Sequence, residues 1–150
     1  MSEPESSSSD YEKTEAARDI AAEKSKQNLY DELTETEQSP FYNVREPDIF
    51  IMAMSYGRQK GGRAELQGDR YYPTSVYQLS EKQEWIIKAV AVREERTTDV
   101  LKDERLVFRI AQEYANTGIE KLHNRVFGPE DDPLSELTNE VVGLHQENGE

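Results

Sequence analysis

The sequence predicts a mostly α-helical protein: one small helical domain at residues 39–142, preceded by an acidic N-terminal region and followed by a short tail. Three observations predict this class. Apolar residues recur with the 3.6-residue period of an α-helix in several stretches of the chain. Capping residues and glycines stand at the ends of these stretches. A chain of 150 residues also has about the length of a single domain.

The net charge of −13 comes from the two ends of the chain. Residues 1–40 sum to −7, residues 129–150 sum to −7, and residues 41–128 sum to +1. The acidic, Ser/Glu-rich composition predicts that residues 1–38 are largely disordered, apart from a weakly amphipathic helix near 24–35. Residues 143–150 are predicted to be a disordered tail. Proteins from high-salt cytoplasms carry a similar acidic excess, and the total charge does not separate this halophile explanation from acidic tails alone.

The first helix of the domain is predicted at 48–60. Pro47 suits its first turn, and Gly61 with Gly62 ends it. Between 64 and 78 the helical period disappears, and tyrosines and valines that favour extended backbone flank the turn residues Gly68-Asp69. This pattern favours a short β-hairpin at 64–78, which would need a helix to pack against.

A second helix is predicted at 81–96, where Ser80 and Gln83 form a capping box. Trp85 belongs to one apolar stripe of this helix, and we expect it to anchor either the core, which is favoured, or a partner. Ile87 and Ala91 lie off that stripe and widen the apolar surface beyond what one small core needs. We therefore predict a contact with a partner protein that involves Trp85, Ile87 and Ala91.

A long helical segment runs from Leu106 to Phe127. The sequence 116–118, Asn-Thr-Gly, either breaks this helix or lies within a continuous helix in which Gly118 allows close packing, at a cost of about 1 kcal/mol relative to Ala. Asp132-Pro133 then predicts the start of a short helix at 133–142.

Residues 57–64 carry the two outer glycines of a phosphate-binding P-loop. Arg63 and Ala64 replace the lysine and the magnesium-binding Ser/Thr of that motif, so we interpret the segment as a helix end followed by a turn. Basic residues nevertheless cluster between 58 and 70. These basic residues are Arg58, Lys60, Arg63 and Arg70. They could contact nucleic-acid phosphates, or they could form ion pairs with the protein's own acidic surface, and we favour the ion pairs.

Residue patterns typical of enzymes are missing from the sequence. There is no cysteine and no Gly-x-Ser-x-Gly motif, and no lysine has an acidic residue two positions before it. Glu120 and His123 form a single Glu-x-x-His pair, whereas a di-iron site needs two such pairs. We therefore expect a protein that is not an enzyme and has no catalytic residues, metal site or cofactor.

The chain has no apolar run of about 18 residues, and its first residues do not resemble a secretory signal. We therefore expect a cytoplasmic protein that contacts no membrane.

Several segments together resemble a known family. They are Ser39-Pro40-Phe41, the helix Asp48–Gly57, the turn Gly61–Arg63, Glu113–Glu120 and Phe127-Gly128. In this order and spacing they are similar to the small accessory proteins encoded beside DNA phosphorothioation (Dnd) loci, specifically the fourth family associated with Dnd systems. The resemblance covers residues 39–138. Thr117 replaces an expected glycine, and the acidic N-terminal region is an addition.

This resemblance implies a role in prokaryotic antiviral defence that uses sulfur-modified DNA to distinguish self from invader, and it implies no catalytic residues. We therefore predict a non-catalytic accessory or adaptor subunit of a phosphorothioation-dependent restriction system, with other proteins of the same defence operon as partners. The alternative is a small DNA-binding or regulatory module that contacts phosphates weakly, in a salt-sensitive way, through the 58–70 basic loop.

Overall fold

A computed structural model describes residues 19–128, which form four α-helices and a two-stranded antiparallel sheet. The mostly α-helical fold class is confirmed. Residues 1–18, the helix predicted at 133–142 and the tail 143–150 lie outside the described range. The strands and helices, in chain order, are β1 (Asp19–Glu23), α1 (Gln27–Glu35), α2 (Glu46–Lys60), β2 (Arg70–Ser75), α3 (Glu81–Glu95) and α4 (Glu104–Phe127).

The capping signals in the sequence mark the helix ends correctly. Ser80 caps α3, and its side chain and that of Gln83 form both hydrogen bonds of the capping box. Pro47 lies in the first turn of α2, and Gly61 follows the last residue of that helix. Asp103, which the sequence pattern did not single out, caps α4 by accepting a hydrogen bond from the backbone N–H of Leu106.

Helix α4 is continuous through residues 116–118 and packs closely against α2. The contact is closest at two glycines. A Cβ atom added to Gly118 would stand 1.7 Å from the carbonyl oxygen of Ala53, and one added to Gly57 would stand 1.8 Å from that of Tyr114. Of the two alternatives for this segment, the continuous helix is therefore correct.

The hairpin predicted at 64–78 is wrong, although a strand does lie there. The partner of β2 is β1, from the N-terminal part of the chain, with Ile20 opposite Thr74 and Ala22 opposite Tyr71. The register is irregular at Ala21, whose N–H donates to the Gln112 side chain of α4 at 2.7 Å. A pairing over about 50 residues leaves no local sequence signal, unlike a hairpin turn.

The folded domain also begins earlier than residue 39, the predicted boundary. The helix predicted near 24–35 is present as α1, and its Tyr30 and Leu33 are buried in the core together with Ile20 of β1. The acidic residues of α1 lower the mean hydropathy of the segment, but they are at least partly exposed to solvent while these apolar ones point inward. Residues 19–38 are therefore part of the folded domain.

One buried polar cluster joins β1 to α4, and we call its three members, Glu23, Lys26 and Asn116, the polar clasp. The Asn116 amide donates to Glu23 Oε2 at 2.8 Å and accepts from Lys26 Nζ at 2.9 Å. The backbone N–H of Gln67 also donates to Glu23. Because the buried Glu23 and Asn116 both have partners and the half-buried Lys26 faces them, the clasp can fix β1 on α4 without an unpaired charge.

Within residues 19–128, no helix has both the length and the apolar character that crossing a membrane requires.

Candidate functional site

The basic loop between α2 and β2 lies against α4. Thr117 donates its hydroxyl hydrogen to the carbonyl oxygen of Gly62 at 2.6 Å, and the backbone N–H of Ala64 donates to the carbonyl oxygen of Glu113. The Asn116 amide of the polar clasp also donates to the carbonyl oxygen of Ala64. These contacts hold the start of the loop in one place and give its arginine a defined position.

Arg63 is paired with two carboxylates of the protein itself. Its guanidinium lies 3.0 Å from Glu94 on α3 and 2.8 Å from Glu113 on α4. Burial acts to lower the pKa of Arg63, but these two hydrogen-bonded carboxylates raise it above its usual value. The Tyr114 hydroxyl and Arg63 both donate to Glu94 and hold the pKa of that carboxyl below its usual value. Arg63 thus ties α3 to α4, as expected if basic residues pair with the acidic surface.

Arg70 at the start of β2 donates to two carbonyl oxygens of its own loop. One bond reaches Gly68 at 2.6 Å and the other reaches Leu66 at 3.4 Å. Carbonyl oxygens orient a guanidinium but do not neutralise it. Arg70 therefore keeps its full charge in a fixed position.

The other two residues predicted to contact nucleic acid lie elsewhere. Arg58 and Lys60 are exposed in the last turn of α2. Positive charge at this end of a helix complements the helix dipole, which is sufficient reason for their presence. Of the four predicted residues, the structure therefore brings Arg63 and Arg70 to one cavity and leaves Arg58 and Lys60 outside its lining.

That cavity has a volume of about 660 Å³ and opens to solvent between β1, the basic loop and the first half of α4. Its lining includes four arginines and three carboxylates. We call it the arginine cavity. The charged residues that line it are Arg63, Arg70, Arg105, Arg109, Asp19, Glu65 and Glu113.

Arg105 and Arg109 are the residues of this cavity that sequence reasoning missed. They stand one helical turn apart on α4, are exposed, and form no hydrogen bond or ion pair with any other residue in the range 19–128. Two arginines at a spacing of four are visible in the sequence. That they share a cavity with Arg70 is not visible, because the start of β2 and the first half of α4 come together around this cavity only in the folded protein.

The exposed face of α3 differs from the predicted one. Trp85 and Ile86 keep 57% and 42% of their surface exposed, whereas Ile87 and Ala91 are fully buried. The prediction that Ile87 and Ala91 contact a partner is therefore wrong, since they face α4 and the core. The preference for Trp85 in the core is also wrong. Lys88 Nζ lies 5.0 Å from the centre of the Trp85 ring and partly covers it.

The Glu-x-x-His pair on α4 is divided between two separate contacts. His123 Nε2 lies 2.9 Å from Glu32 on α1, and Glu120 lies 3.0 Å from Lys26. Across residues 19–128 there is also no group of three or more His, Asp or Glu side chains placed to hold a metal ion.

Comparison with known proteins identifies a family. Neither the curated proteins nor the solved structures contain a match to this chain. One family model, described as DNA sulphur modification system-associated protein 4, matches residues 19–147. The match begins with β1, so it also includes the segment that the structure adds to the predicted domain. Because it spans most of the chain, the protein belongs to the family of DNA sulphur modification system-associated protein 4.

Proposed function

We propose that this protein is a non-catalytic accessory subunit, an adaptor that docks onto other proteins of a DNA phosphorothioation-dependent restriction system in antiviral defence. Membership of a family associated with DNA sulphur modification supports partners in the same operon. The single observation that carries the docking role is the exposure of Trp85 and Ile86 on α3.

These two side chains form an apolar surface that the fold does not require. The core side of α3 is occupied by Ile87 and Ala91, so Trp85 and Ile86 could be polar without loss of packing in the core. Tryptophan is among the residues that contribute most to protein–protein binding, because burial of its large ring removes much apolar surface from water. Neighbouring Lys88 supplies a charge of the kind found at the rim of such contacts.

The non-catalytic part of the proposal rests on the sequence. It contains no cysteine and no Gly-x-Ser-x-Gly motif, so neither a cysteine nucleophile nor the elbow serine of an α/β-hydrolase has a counterpart in it.

Co-purification tests the adaptor role. The tagged full-length chain is co-expressed with the products of the neighbouring genes and recovered at native salt after nuclease treatment, so that DNA cannot bridge the proteins. We expect the wild-type chain to retain at least one operon protein and the Trp85→Ala, Ile86→Ala double variant to lose it. Tyr72→Ala is the matched control, because this aromatic residue on β2 is 54% exposed and lies off α3. Recovery of no operon protein by the wild-type chain would refute the proposal.

A further inference from the structure

We propose that the arginine cavity binds a backbone phosphate of DNA, with Arg105 and Arg109 as the residues that contact it. This site goes beyond the adaptor role, and it differs from the alternative nucleic-acid contact that the sequence offers at 58–70, of which Arg70 lines the cavity but Arg58 and Lys60 do not. DNA is favoured as the source of the phosphate because the family is associated with a modification of DNA.

The arginines of the cavity differ in whether a carboxylate neutralises them. Arg63 is already neutralised by Glu94 and Glu113. Arg70 has only carbonyl partners, and Arg105 and Arg109 have no partner among residues 19–128. Like charges one turn apart on a helix repel each other, so α4 carries an unfavourable interaction that a bound anion would relieve.

The geometry of guanidinium groups favours phosphate as that anion. A guanidinium presents a planar fork of N–H donors that matches two oxygens of a phosphate group. Arg105 and Arg109 have neighbouring positions on one face of α4, and Arg70, held by its carbonyl contacts, lines the same cavity. Two or three guanidinium groups that line one cavity can therefore hold one or two adjacent phosphates.

The rest of the lining favours a backbone contact over recognition of a base or a free nucleotide. Phe108 and Leu66 are buried to 6% and 9% exposure, so neither offers a ring or a flat surface on which a base could stack. Asp19 and Glu65 also line the cavity and would repel a multiply charged nucleotide phosphate more than a single phosphodiester. We therefore expect weak, salt-sensitive and sequence-independent binding.

Fluorescence anisotropy with a labelled 20-base-pair duplex tests the site, using the full-length protein at several salt concentrations. For the Arg105→Gln, Arg109→Gln double variant we expect affinity to fall about tenfold and the slope of log K against log salt to shrink by about two. The Arg58→Gln, Lys60→Gln variant is the matched control, since it removes the same charge outside the cavity. We expect it to change affinity by less than about threefold.

Two further arms separate a phosphate contact in the cavity from a loss of folding and from recognition of sulfur. The Arg105→Lys, Arg109→Lys variant keeps the charge but not the planar fork, so we expect it to keep the wild-type salt slope while losing part of the affinity. Circular dichroism checks that every variant unfolds like the wild-type protein. Duplexes with and without phosphorothioate linkages should bind alike, because both linkages carry the same charge.

Two outcomes would overturn the proposal. One is an equal change of affinity in the two glutamine variants. The other is that the wild-type protein binds neither duplex, even if inorganic phosphate raises its melting temperature in circular dichroism. Nuclease-treated co-purification is independent of both, so failure of the adaptor role and failure of the DNA site can be told apart.

Discussion

Gly57 and Gly118 lie against each other where α2 meets α4, with the Cα of each close to the backbone of the other helix. A Cβ on Gly118 would come within 2.6 Å of the Gly57 nitrogen, and one on Gly57 within 2.9 Å of the Gly118 nitrogen. Backbone atoms cannot rotate away as side chains can. The two glycines therefore set the separation of the two helices, which carry most of the core.

Gly118→Ala should reverse the usual preference of helices for alanine. By intrinsic propensity the change would stabilise α4 by about 1 kcal/mol. Because the new methyl group meets the Ala53 carbonyl, α2 and α4 must move apart, and we expect a net loss of about 2 kcal/mol. Chemical denaturation measures the free energy of unfolding.

The reverse change on an open helix surface serves as the control for Gly118. Ala89 is exposed in the interior of α3, so Ala89→Gly should cost only the intrinsic difference of about 1 kcal/mol. Stabilisation by Gly118→Ala would contradict the close contact of α2 and α4.

Asn116→Ala removes the hydrogen bond that the Asn116 amide donates to Glu23. The carboxylate would remain buried with fewer partners, and Lys26 would lose its bond to the Asn116 side chain. We expect a loss of about 3 kcal/mol in the free energy of unfolding. Asn124→Ala is the control, because this asparagine is exposed on the same helix, and its change should stay within about 0.5 kcal/mol. Equal effects of the two changes would show that the clasp contributes nothing to stability.

Because of Glu23, the free energy of unfolding should decrease as the pH falls into the acid range. Burial raises the pKa of Glu23, but hydrogen bonds from Asn116 and from the backbone of Gln67, together with the nearby charge of Lys26, lower it overall from the usual 4.5. A carboxyl whose folded-state pKa is depressed contributes stability above its unfolded pKa and loses this contribution as pH falls through the folded value.

Glu23→Gln therefore should lower stability at pH 7, and its difference from the wild-type protein should shrink below about pH 4.5. Denaturation curves between pH 7 and pH 3 give the comparison. Glu46→Gln is an informative counterpart, because burial and the charges of Asp31 and Glu35 raise the pKa of Glu46, so its removal should have the opposite pH dependence. A constant difference between Glu23→Gln and wild type would rule out the depressed pKa.

Truncation of Ile87 should cost much more stability than truncation of Trp85. Ile87→Ala opens a cavity in the core beside α4 and should cost about 3 kcal/mol. Trp85→Ala removes a larger side chain that is mostly exposed, and should change stability by less than about 1 kcal/mol. Thermal unfolding followed by circular dichroism separates the two. A larger loss for Trp85 than for Ile87 would mean that α3 presents the other face to the core.

Helix positions could be predicted from the sequence because their signals are local. The capping box at Ser80 and the proline and glycines around α2 define boundaries within a few residues. The face of α3 that packs on the core could not be predicted, because the helix carries apolar residues on most of its circumference. Trp85 and Ile87 are equally apolar, and only the position of α4 decides which is buried.

The candidate site was accessible to sequence reasoning only in part. Arg63 and Arg70 belong to a basic stretch that is visible in the sequence, but Arg105 and Arg109 join them from a helix more than 30 residues later. The same limit applies to β1, whose pairing with β2 gives no local pattern. Both the lining of the cavity and the pairing of β1 depend on how distant segments are arranged in space, and a local sequence pattern does not carry that information.

During synthesis of the chain, β1 is made before its partner strand β2 and stays unpaired until β2 follows. At about 5–20 residues per second, β2 leaves the ribosome several seconds after β1, because about 50 residues separate them. During this interval β1 exposes Ile20 and unpaired backbone groups that could pair with another nascent chain. Asp19, Glu23 and Lys24 place a charge at each end of this five-residue strand, a pattern that discourages such edge-to-edge association until β2 has been made.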